Sequence, residues 1–284
     1  MIKRIMIDDI HVISEYIWDV YQDENKRTTP PYQDAKDIET HLSKCLQYKS
    51  SHLLGVWEED NLEGVALILV DENDQSLNVQ GPYIHKSHKY RKIASELMDY
   101  IESNFKGFKC YIGTTKPNVL SQEFFKSRGF LCTDDTIQMS VTKDALVPIE
   151  PQFNIQLLSE ERMEDYKDFH DNQYHDYYWL SDRIYGVMDR WKVHIALENN
   201  KIIGSIFTMK QTEDSGEIYG CKVLDPYKNK QVLAELFYIS TKSWMDENLT
   251  KIFNFVPEGL ESESAALVGY KGYDTYMCFF KGKV

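Results

Sequence analysis

A short basic stretch, from His85 to Lys92, is the part of this sequence whose residue types point most directly to chemistry. Residues 85–92 read HKSHKYRK and contain four Lys or Arg and two His. The stretch precedes a predicted helix, and the first turn of a helix presents unpaired backbone N–H groups and the positive end of the helix dipole. Together these features predict a binding site for a phosphate group.

The rest of the chain is acidic, which limits the kind of anion that this stretch serves. The 284 residues carry a formal net charge of −13. A surface that binds nucleic acid needs cations spread over a face, whereas these cations are confined to one short segment. We therefore expect a small anionic ligand and no nucleic-acid partner.

Composition and cysteine usage are typical of a soluble globular protein. Hydrophobic residues make up 42% of the chain, and no run of about 18 apolar residues predicts a membrane span. The N-terminus lacks the apolar segment of a secretory signal. The five cysteines lie far apart without a C-x-x-C pair, so neither a disulfide framework nor a zinc site is predicted. We expect a cytoplasmic protein with no membrane partner and no bound metal.

The elements that would position the basic stretch occur twice along the chain. Each half contains a predicted β-hairpin, a strand, a helix, a strand, a helix ending in Gly and an aromatic residue, and a final strand. In the first half these are residues 53–70, 76–84, 93–105, 109–113, a helix ending at 128–130, and 136–141. In the second half they are residues 193–207, 217–224, 232–248, 252–256, a helix ending at 271–273, and 275–280. The pattern predicts two α+β domains, residues 1–145 and 146–284, with a Pro-containing linker at 142–151.

This order of elements resembles the GCN5-related N-acetyltransferase (GNAT) family, over nearly the whole chain and in two tandem copies. The resemblance rests on the element order, the basic loop between strand and helix, and the helix that ends in Arg128-Gly129-Phe130. It implies two tandem GNAT-like domains, each a mixed, mostly antiparallel twisted sheet flanked by helices. It also implies acetyl-CoA as co-substrate, with its pyrophosphate on the loop and its pantetheine beside the preceding strand.

The phosphate-loop pattern of the family, Arg/Gln-x-x-Gly-x-Gly/Ala, falls on residues 89–94. Lys89 takes the Arg/Gln place, Ala94 keeps the small last residue, and Lys92 replaces the middle glycine. Glycine at that place allows a close backbone approach or a positive φ, so the lysine either adds a cation to the phosphates or reflects a lost site. Asn118, where the family often has an Asn near the pantetheine, is equally an ordinary helix N-cap. The resemblance implies these cofactor-binding residues: Tyr83, Ile84, Lys89, Tyr90, Arg91, Lys92, Ile93, Ala94, Asn118 and Phe125.

The corresponding loop of the second half, residues 228–233, is a poorer match to the pattern. It lacks both small residues and carries only two cations, Lys228 and Lys230. We therefore expect the acyl-CoA site in the first domain and a degenerate second domain.

Candidate catalytic groups are scarce, and the sequence assigns no catalytic residue. The family often has a proton-donating Tyr four residues before the Gly-aromatic pair, where this sequence has Phe125 and Val268. Asn78 and Gln80 can bind a substrate but cannot accept a proton. Glu217 opens the matching strand of the second half, and a strand-end Glu usually lies on a solvated face.

Several other candidates have ordinary structural interpretations. Tyr111 and Tyr270 are alternative proton donors, although packed aromatic rings are the favoured interpretation. The aromatic segment 170–179 either walls an acceptor cleft or packs helices, and its His and Asp residues match no metal-ligand spacing. Asp8-Asp9 and Glu58-Glu59-Asp60 are predicted to be solvated acids.

The sequence thus favours an acyl-CoA-dependent N-acetyltransferase that transfers an acetyl group from acetyl-CoA to an amine of a small molecule or peptide. The negative chain favours a cationic acceptor. The alternative is a non-catalytic acyl-CoA-binding or interaction protein on a degenerate GNAT fold, since the usual tyrosine is missing and Lys92 stands at a glycine position.

Overall fold

A computed structural model describes residues 1–175 and 177–284, which fall into two compact units. Unit 1 comprises Met1–Asp135 and Thr275–Val284, and unit 2 comprises Thr136–Asp274. The predicted domains, residues 1–145 and 146–284, differ from these units because each unit includes a strand from the other half of the chain.

The helices and strands follow the predicted repeat with one correction. The last helix was predicted to end at residues 271–273, but it ends at Leu267 before the pair Gly269-Tyr270, and Lys271 already begins the final strand. The strands are β1 (Ile2–Arg4), β2 (Ser51–Glu58), β3 (Asn61–Asp71), β4 (Ser76–Tyr83), β5 (Lys109–Thr114), β6 (Leu131–Thr142), β7 (Asn154–Leu157), β8 (Trp191–Glu198), β9 (Lys201–Lys210), β10 (Ser215–Val223), β11 (Lys251–Val256) and β12 (Lys271–Lys281). The helices are α1 (Ile10–Tyr21), α2 (Ala35–Cys45), α3 (Tyr90–Asn104), α4 (Val119–Ser127), α5 (Met163–Gln173), α6 (Ser181–Tyr185), α7 (Lys230–Met245) and α8 (Leu260–Leu267).

The sheet of unit 1 has the strand order β1-β2-β3-β4-β5-β12. Neighbouring strands are antiparallel, except that β4 and β5 are parallel. One face of the sheet packs on α3 and α4 around Ile93, Leu97 and Phe125. The other face packs on α1 and α2 around Ile13 and Ile38. Alternate strand residues supply the two cores, as the period of two of a β-strand requires.

The sheet of unit 2 has the same plan, with strand order β6-β11-β10-β9-β8-β7 and a single parallel pair, β10 with β11. One core lies with α7 and α8 around Leu236 and Ala265. The other lies with α5 and α6 around Tyr166 and Ile184. The α+β class and the tandem repeat predicted from the sequence are confirmed.

The strand that ends each half was predicted, but not the sheet that it joins. Residues 136–141 lie in β6 and pair with β11 of unit 2, while residues 275–280 lie in β12, which pairs with β5 of unit 1. The alternating pattern of a strand is the same in either sheet, so it cannot report this exchange.

Among the described residues, no helix is long and apolar enough to cross a membrane.

Candidate functional site

Strands β4 and β5 run side by side over four residue pairs and then separate. Their parallel pairing joins Ser76–Val79 to Lys109–Ile112 and ends there. Opposite β3, the register of β4 then shifts, and Gly81 takes a φ of 102°. A Cβ at that position would lie 3.0 Å from the carbonyl oxygen of Val65, so the bulge there requires glycine. Beyond Val79, within the fully described unit 1, the backbone of β4 is therefore not paired with β5.

The helix that follows β4 begins without a side-chain cap. A 3-10 turn at Ser87–Lys89 leads into α3, and no side chain accepts a hydrogen bond at the N-cap, Lys89. Lys92 lies in the first helical turn and has a negative φ, so its position does not require glycine. An uncapped first turn presents N–H groups and a positive dipole end to a ligand.

Acids from the β2–β3 hairpin hold the basic side chains of this loop. Lys89 Nζ donates to Glu58 at 2.5 Å and lies 3.2 Å from Glu63, and Lys86 Nζ donates to Glu63 at 2.8 Å. Lys92 also pairs with Glu58. Hydrogen bonds from Lys89 and Lys92 lower the pKa of Glu58 to about 2. Glu58 was predicted to be a solvated turn acid; its side chain is partly exposed, and its carboxylate in addition orders the cations of the loop.

The cations on the outer side of the loop remain accessible. The side chains of Arg91 and Lys92 are 67% and 62% exposed. Arg91 lies 3.6 Å from Glu123, a long contact between two exposed groups, and such pairs contribute little. Arg91 can therefore turn towards a bound phosphate at small cost, whereas Lys92 must first leave Glu58.

The predicted cofactor-binding residues divide into an exposed and a buried group. Lys89, Arg91 and Lys92 have accessible side chains. The side chains of the others are buried; these are Tyr83, Ile84, Tyr90, Ile93, Ala94, Asn118 and Phe125. Tyr83 ends β4 and Ile84 follows it, beyond the pairing with β5, and only their backbone is available to a ligand.

Asn118 and Phe125 do not reach the exposed face of the loop. The Asn118 side chain caps α4 by accepting from the Ser121 N–H at 3.1 Å, and it donates to the Arg27 carbonyl at 3.0 Å. Phe125 is fully buried, with its ring centroid 5.5 Å from that of Phe279. These positions make Asn118 a helix cap and Phe125 a core residue in this structure.

Residues 27–29 lie in the gap between β4 and β5. Thr28 forms an antiparallel bridge with Thr114 of β5. Thr114 also pairs with Met277 of β12, on the opposite side of β5. The bridge to Thr28 therefore lies on the side of β5 that faces β4. Thr29 covers Gly113, where a Cβ would lie 1.8 Å from Thr29 Oγ1. A ligand inserted between the strands must displace this segment or lie against it.

A histidine that the sequence did not indicate contacts β4 just where the strands separate. His41 of α2 donates from Nε2 to Gln80 Oε1 at 2.8 Å, which leaves the Nδ1 lone pair available. Burial lowers the pKa of His41, so the ring is neutral at pH 7. Burial raises the pKa of Cys45, and it raises the pKa of Tyr83 to about 12, so both keep their protons. Of these groups, His41 is the one suited to accept a proton at neutral pH.

In unit 2 the strands β10 and β11 separate in the same way, but a side chain caps the start of the following helix, α7. The parallel pairing of β10 and β11 joins Ser215–Ile218 to Lys251–Asn254, and the register of β10 against β9 then shifts. The N-cap of α7 is Asn229, whose side chain accepts from the Val232 N–H at 3.1 Å. The first turn that is open in unit 1 is thus occupied by the chain itself in unit 2.

The cations beside the start of α7 are also paired. Lys228 lies 3.9 Å from Glu261, and Lys230 pairs with Glu263, both acids of α8. Because the cations of unit 1 are paired with acids as well, the Asn229 cap is the feature that distinguishes this helix start from that of α3.

The remaining candidates are packing residues. Tyr270 is buried with its hydroxyl 2.6 Å from Thr241 Oγ1, and the ring of Tyr111 lies against Phe280 at 4.9 Å. In the aromatic segment, His170 bonds through Nδ1 to the Tyr166 hydroxyl and through Nε2 to a backbone carbonyl. The helix-packing interpretation therefore holds for His170, while Asp176 of this segment lies outside the described residues.

Comparison with protein-family models gives one match, to the acetyltransferase (GNAT) family, over residues 17–130. No curated protein sequence matches the chain significantly.

Solved structures similar to this chain cover nearly all of it at low sequence identity. A GCN5-related N-acetyltransferase from Sphaerobacter thermophilus superposes with a TM-score of 0.73 at 12% identity, covering 99% of this chain and 95% of its own. A tandem GNAT protein from the clavulanic acid biosynthesis pathway has a TM-score of 0.56 at 10% identity, covering 99% and 98%. At this identity the likeness shows the fold: two GNAT units in tandem.

Proposed function

We propose that this chain is a tandem member of the GNAT acetyltransferase family, and that unit 1 binds acetyl-CoA and transfers its acetyl group to an amine of a small molecule or peptide. The observation that carries the proposal is the uncapped start of α3, with Lys89, Arg91 and Lys92 beside it. Backbone N–H groups and cations at a helix N-terminus suit the pyrophosphate of a CoA. The family-level likeness supports acyl transfer.

The unpaired end of β4 supports the second part of the proposal. The backbone from Gln80 to Ile84 is free of β5, so it can bond to the pantetheine amides and polarise the thioester carbonyl. Residues 27–29 must then move from the gap or form its wall. We propose that this segment is displaced when acetyl-CoA enters.

His41 is the proton acceptor in this proposal. The amine nitrogen attacks the thioester carbonyl carbon, the C–S bond breaks, and the amine gives up a proton. His41 is neutral and keeps a free Nδ1, and Gln80 on β4 orients the ring. No side chain is assigned to protonate the departing thiolate, which can take its proton from water.

A non-catalytic acyl-CoA-binding protein is the second candidate, and one observation favours it. Phe125 stands at the position of the family's usual proton-donating tyrosine. A phenylalanine has no hydroxyl to protonate the thiolate, and its side chain is buried in the core. Fold alone does not establish activity.

The test combines calorimetry with acetyl-CoA and an assay of CoA thiol release over a panel of primary amines. The proposal predicts saturable binding and amine-dependent release. No heat on titration would overturn both candidates, whereas binding without release from any amine would favour the second.

The role of His41 is tested in the same assay by His41→Gln, with His11→Gln as control. His11 is an exposed histidine of α1. We expect His41→Gln to lower turnover by about 100-fold and to remove the acidic limb of the pH–rate profile, with KM for acetyl-CoA unchanged. An unchanged pH profile would contradict the role.

A further inference from the structure

A carboxyl group lies in unit 2 at the point where β10 and β11 separate. The last residue pair that joins the two strands is Ile218 with Asn254, and the register shift against β9 follows. Glu217 and Tyr219 flank this point and lie on the same face of β10, because Gln211 Nε2 contacts both side chains. Aligning the parallel pairs of the two units places Asn78 and Gln80 of unit 1 at these positions. The acid is thus specific to unit 2.

The surroundings of Glu217 are apolar and contain two neutral hydrogen-bond donors, Gln211 and Tyr219. Its neighbours across the sheet in register are Met209 and Phe253. Gln211 Nε2 donates to Glu217 at 3.1 Å and lies 2.9 Å from the Tyr219 hydroxyl. Within residues 1–175 and 177–284, no Lys, Arg or His forms an ion pair with this carboxyl. An acid so placed is costly to ionise without a cation.

The protein environment shifts the titration of Glu217 accordingly. Burial raises the pKa of Glu217 to about 8, with a hydrogen bond to Tyr219 opposing the shift. The charged or titratable groups nearby are Tyr219, whose own pKa is raised by burial, and Arg190, whose charge acts on Tyr219. The expectation that Glu217 lies on a solvated strand end is therefore wrong. The carboxyl is largely protonated at pH 7, although the residue keeps some exposed surface.

Aromatic rings pack around Tyr219, the neighbour of this carboxyl. The ring centroids of Trp191 lie 5.0 Å from Trp179 and 5.2 Å from Tyr219, and Trp179 lies 6.0 Å from Tyr219. Trp179 and Tyr219 are partly exposed, so their surfaces are available to a ligand. The faces of Trp and Tyr rings attract cations, most strongly where water is excluded.

We propose that Glu217, with the rings of Trp179 and Tyr219, forms a binding site for a primary alkylammonium group. The ammonium donates to the Glu217 carboxylate and to the Tyr219 hydroxyl oxygen, while the rings contact its alkyl chain and positive charge. The proposal is independent of acetyl transfer in unit 1.

Calorimetry with putrescine on the full-length protein tests the site. At pH 7 the ammonium must bind the ionised acid, so binding releases up to one proton, and the observed heat therefore differs between phosphate and Tris buffers. Glu217→Gln should weaken binding about tenfold or more and abolish the proton release. Glu213→Gln, which removes an equal charge at an exposed position, should leave both unchanged.

Two outcomes overturn the proposal: no saturable putrescine binding by the wild type at millimolar concentration, or equal affinity in Glu217→Gln. A thermal midpoint for each variant shows that it is folded. Tyr219→Leu, which removes a ring and leaves the acid, provides a second variant and should also weaken binding. Titration with Nα-acetyl-lysine amide in parallel distinguishes a peptide lysine from a free diamine as the preferred source of the ammonium.

Discussion

The two units share a strand arrangement but differ in what lies beside it. In unit 1 the N-cap of α3 is Lys89, whose side chain makes no capping hydrogen bond, and the preceding strand β4 carries Asn78 and Gln80. In unit 2 the helix is capped by Asn229, and the strand carries Glu217. One unit therefore has the features that bind phosphate, and the other has an acid that suits an amine.

The difference shows how a single side chain closes a site that the fold leaves available. The first turn of any helix presents unpaired N–H groups, and an Asn at the N-cap satisfies one of them. Lys89 at the same place satisfies none and adds a positive charge. Under the proposed function, the same backbone binds an anion in unit 1 and not in unit 2.

The largest expected effect comes from reversing the exposed cations of unit 1. Arg91→Glu with Lys92→Glu should weaken acetyl-CoA binding by about 100-fold, since each charge-assisted contact contributes about 1.5 kcal/mol or more. Calorimetry measures the change. The control, Lys228→Glu with Lys230→Glu, changes the net charge of the chain equally but in unit 2, and it should leave the affinity for acetyl-CoA unchanged. A similar loss of affinity in both double variants would remove the distinction between the units.

The second effect concerns the acid of unit 2. The pKa of Glu217 in the folded protein, about 8, lies above its ordinary value, so the folded state holds this proton more tightly than the unfolded state does. The resulting stabilisation of the folded state is present at low pH and is lost as the pH rises through 8. Between pH 5 and pH 9 the wild type should lose on the order of 2 kcal/mol more unfolding free energy than Glu217→Gln, with allowance for partial exposure. Urea denaturation at the two pH values measures this. Parallel losses in both proteins would show that Glu217 titrates normally.

The third effect is smaller and concerns the helix cap. Asn229→Ala should lower the unfolding free energy by about 1 kcal/mol, because an N–H of α7 loses its acceptor. Ser87→Ala, just before the uncapped α3, should cost nothing measurable. Chemical denaturation compares the two variants, and equal costs would mean that the two helix starts do not differ as described.

The smallest effect concerns the acids that hold the loop of unit 1. Glu58→Gln frees Lys89 and Lys92 for phosphate and should tighten acetyl-CoA binding by a few fold. Asp60→Asn, in the same turn, should change little. If Glu58→Gln instead weakens binding, the carboxylate positions the lysines rather than competing with the ligand.

The repeat, the fold class and the position of the basic loop were predictable because they depend on local patterns. Hydrophobic spacing marks the strands and helices, and the charge of residues 85–92 is visible in the sequence. Contacts between distant residues were not predictable. Lys89 meets Glu58 across 31 positions, and His41 meets Gln80 across 39. No local pattern marks such pairs.

The exchange of β6 and β12 and the burial of Glu217 escaped prediction for related reasons. A strand shows the same alternation in whichever sheet it joins. A Glu near the start of a strand is usually solvated, and only the packed rings and the neighbouring Met209 and Phe253 of unit 2 reveal otherwise. The one sign of His41 in the sequence is its spacing of four from Cys45, which many helices share.

The stoichiometry of acetyl-CoA binding tests the central claim most directly. Calorimetric titration of the full-length protein should show one acetyl-CoA per chain, and Arg91→Glu with Lys92→Glu should remove that single event. Two binding events, or one event that survives the double substitution, would contradict the assignment of the acyl-CoA site to unit 1. No binding at all would contradict the proposed function itself.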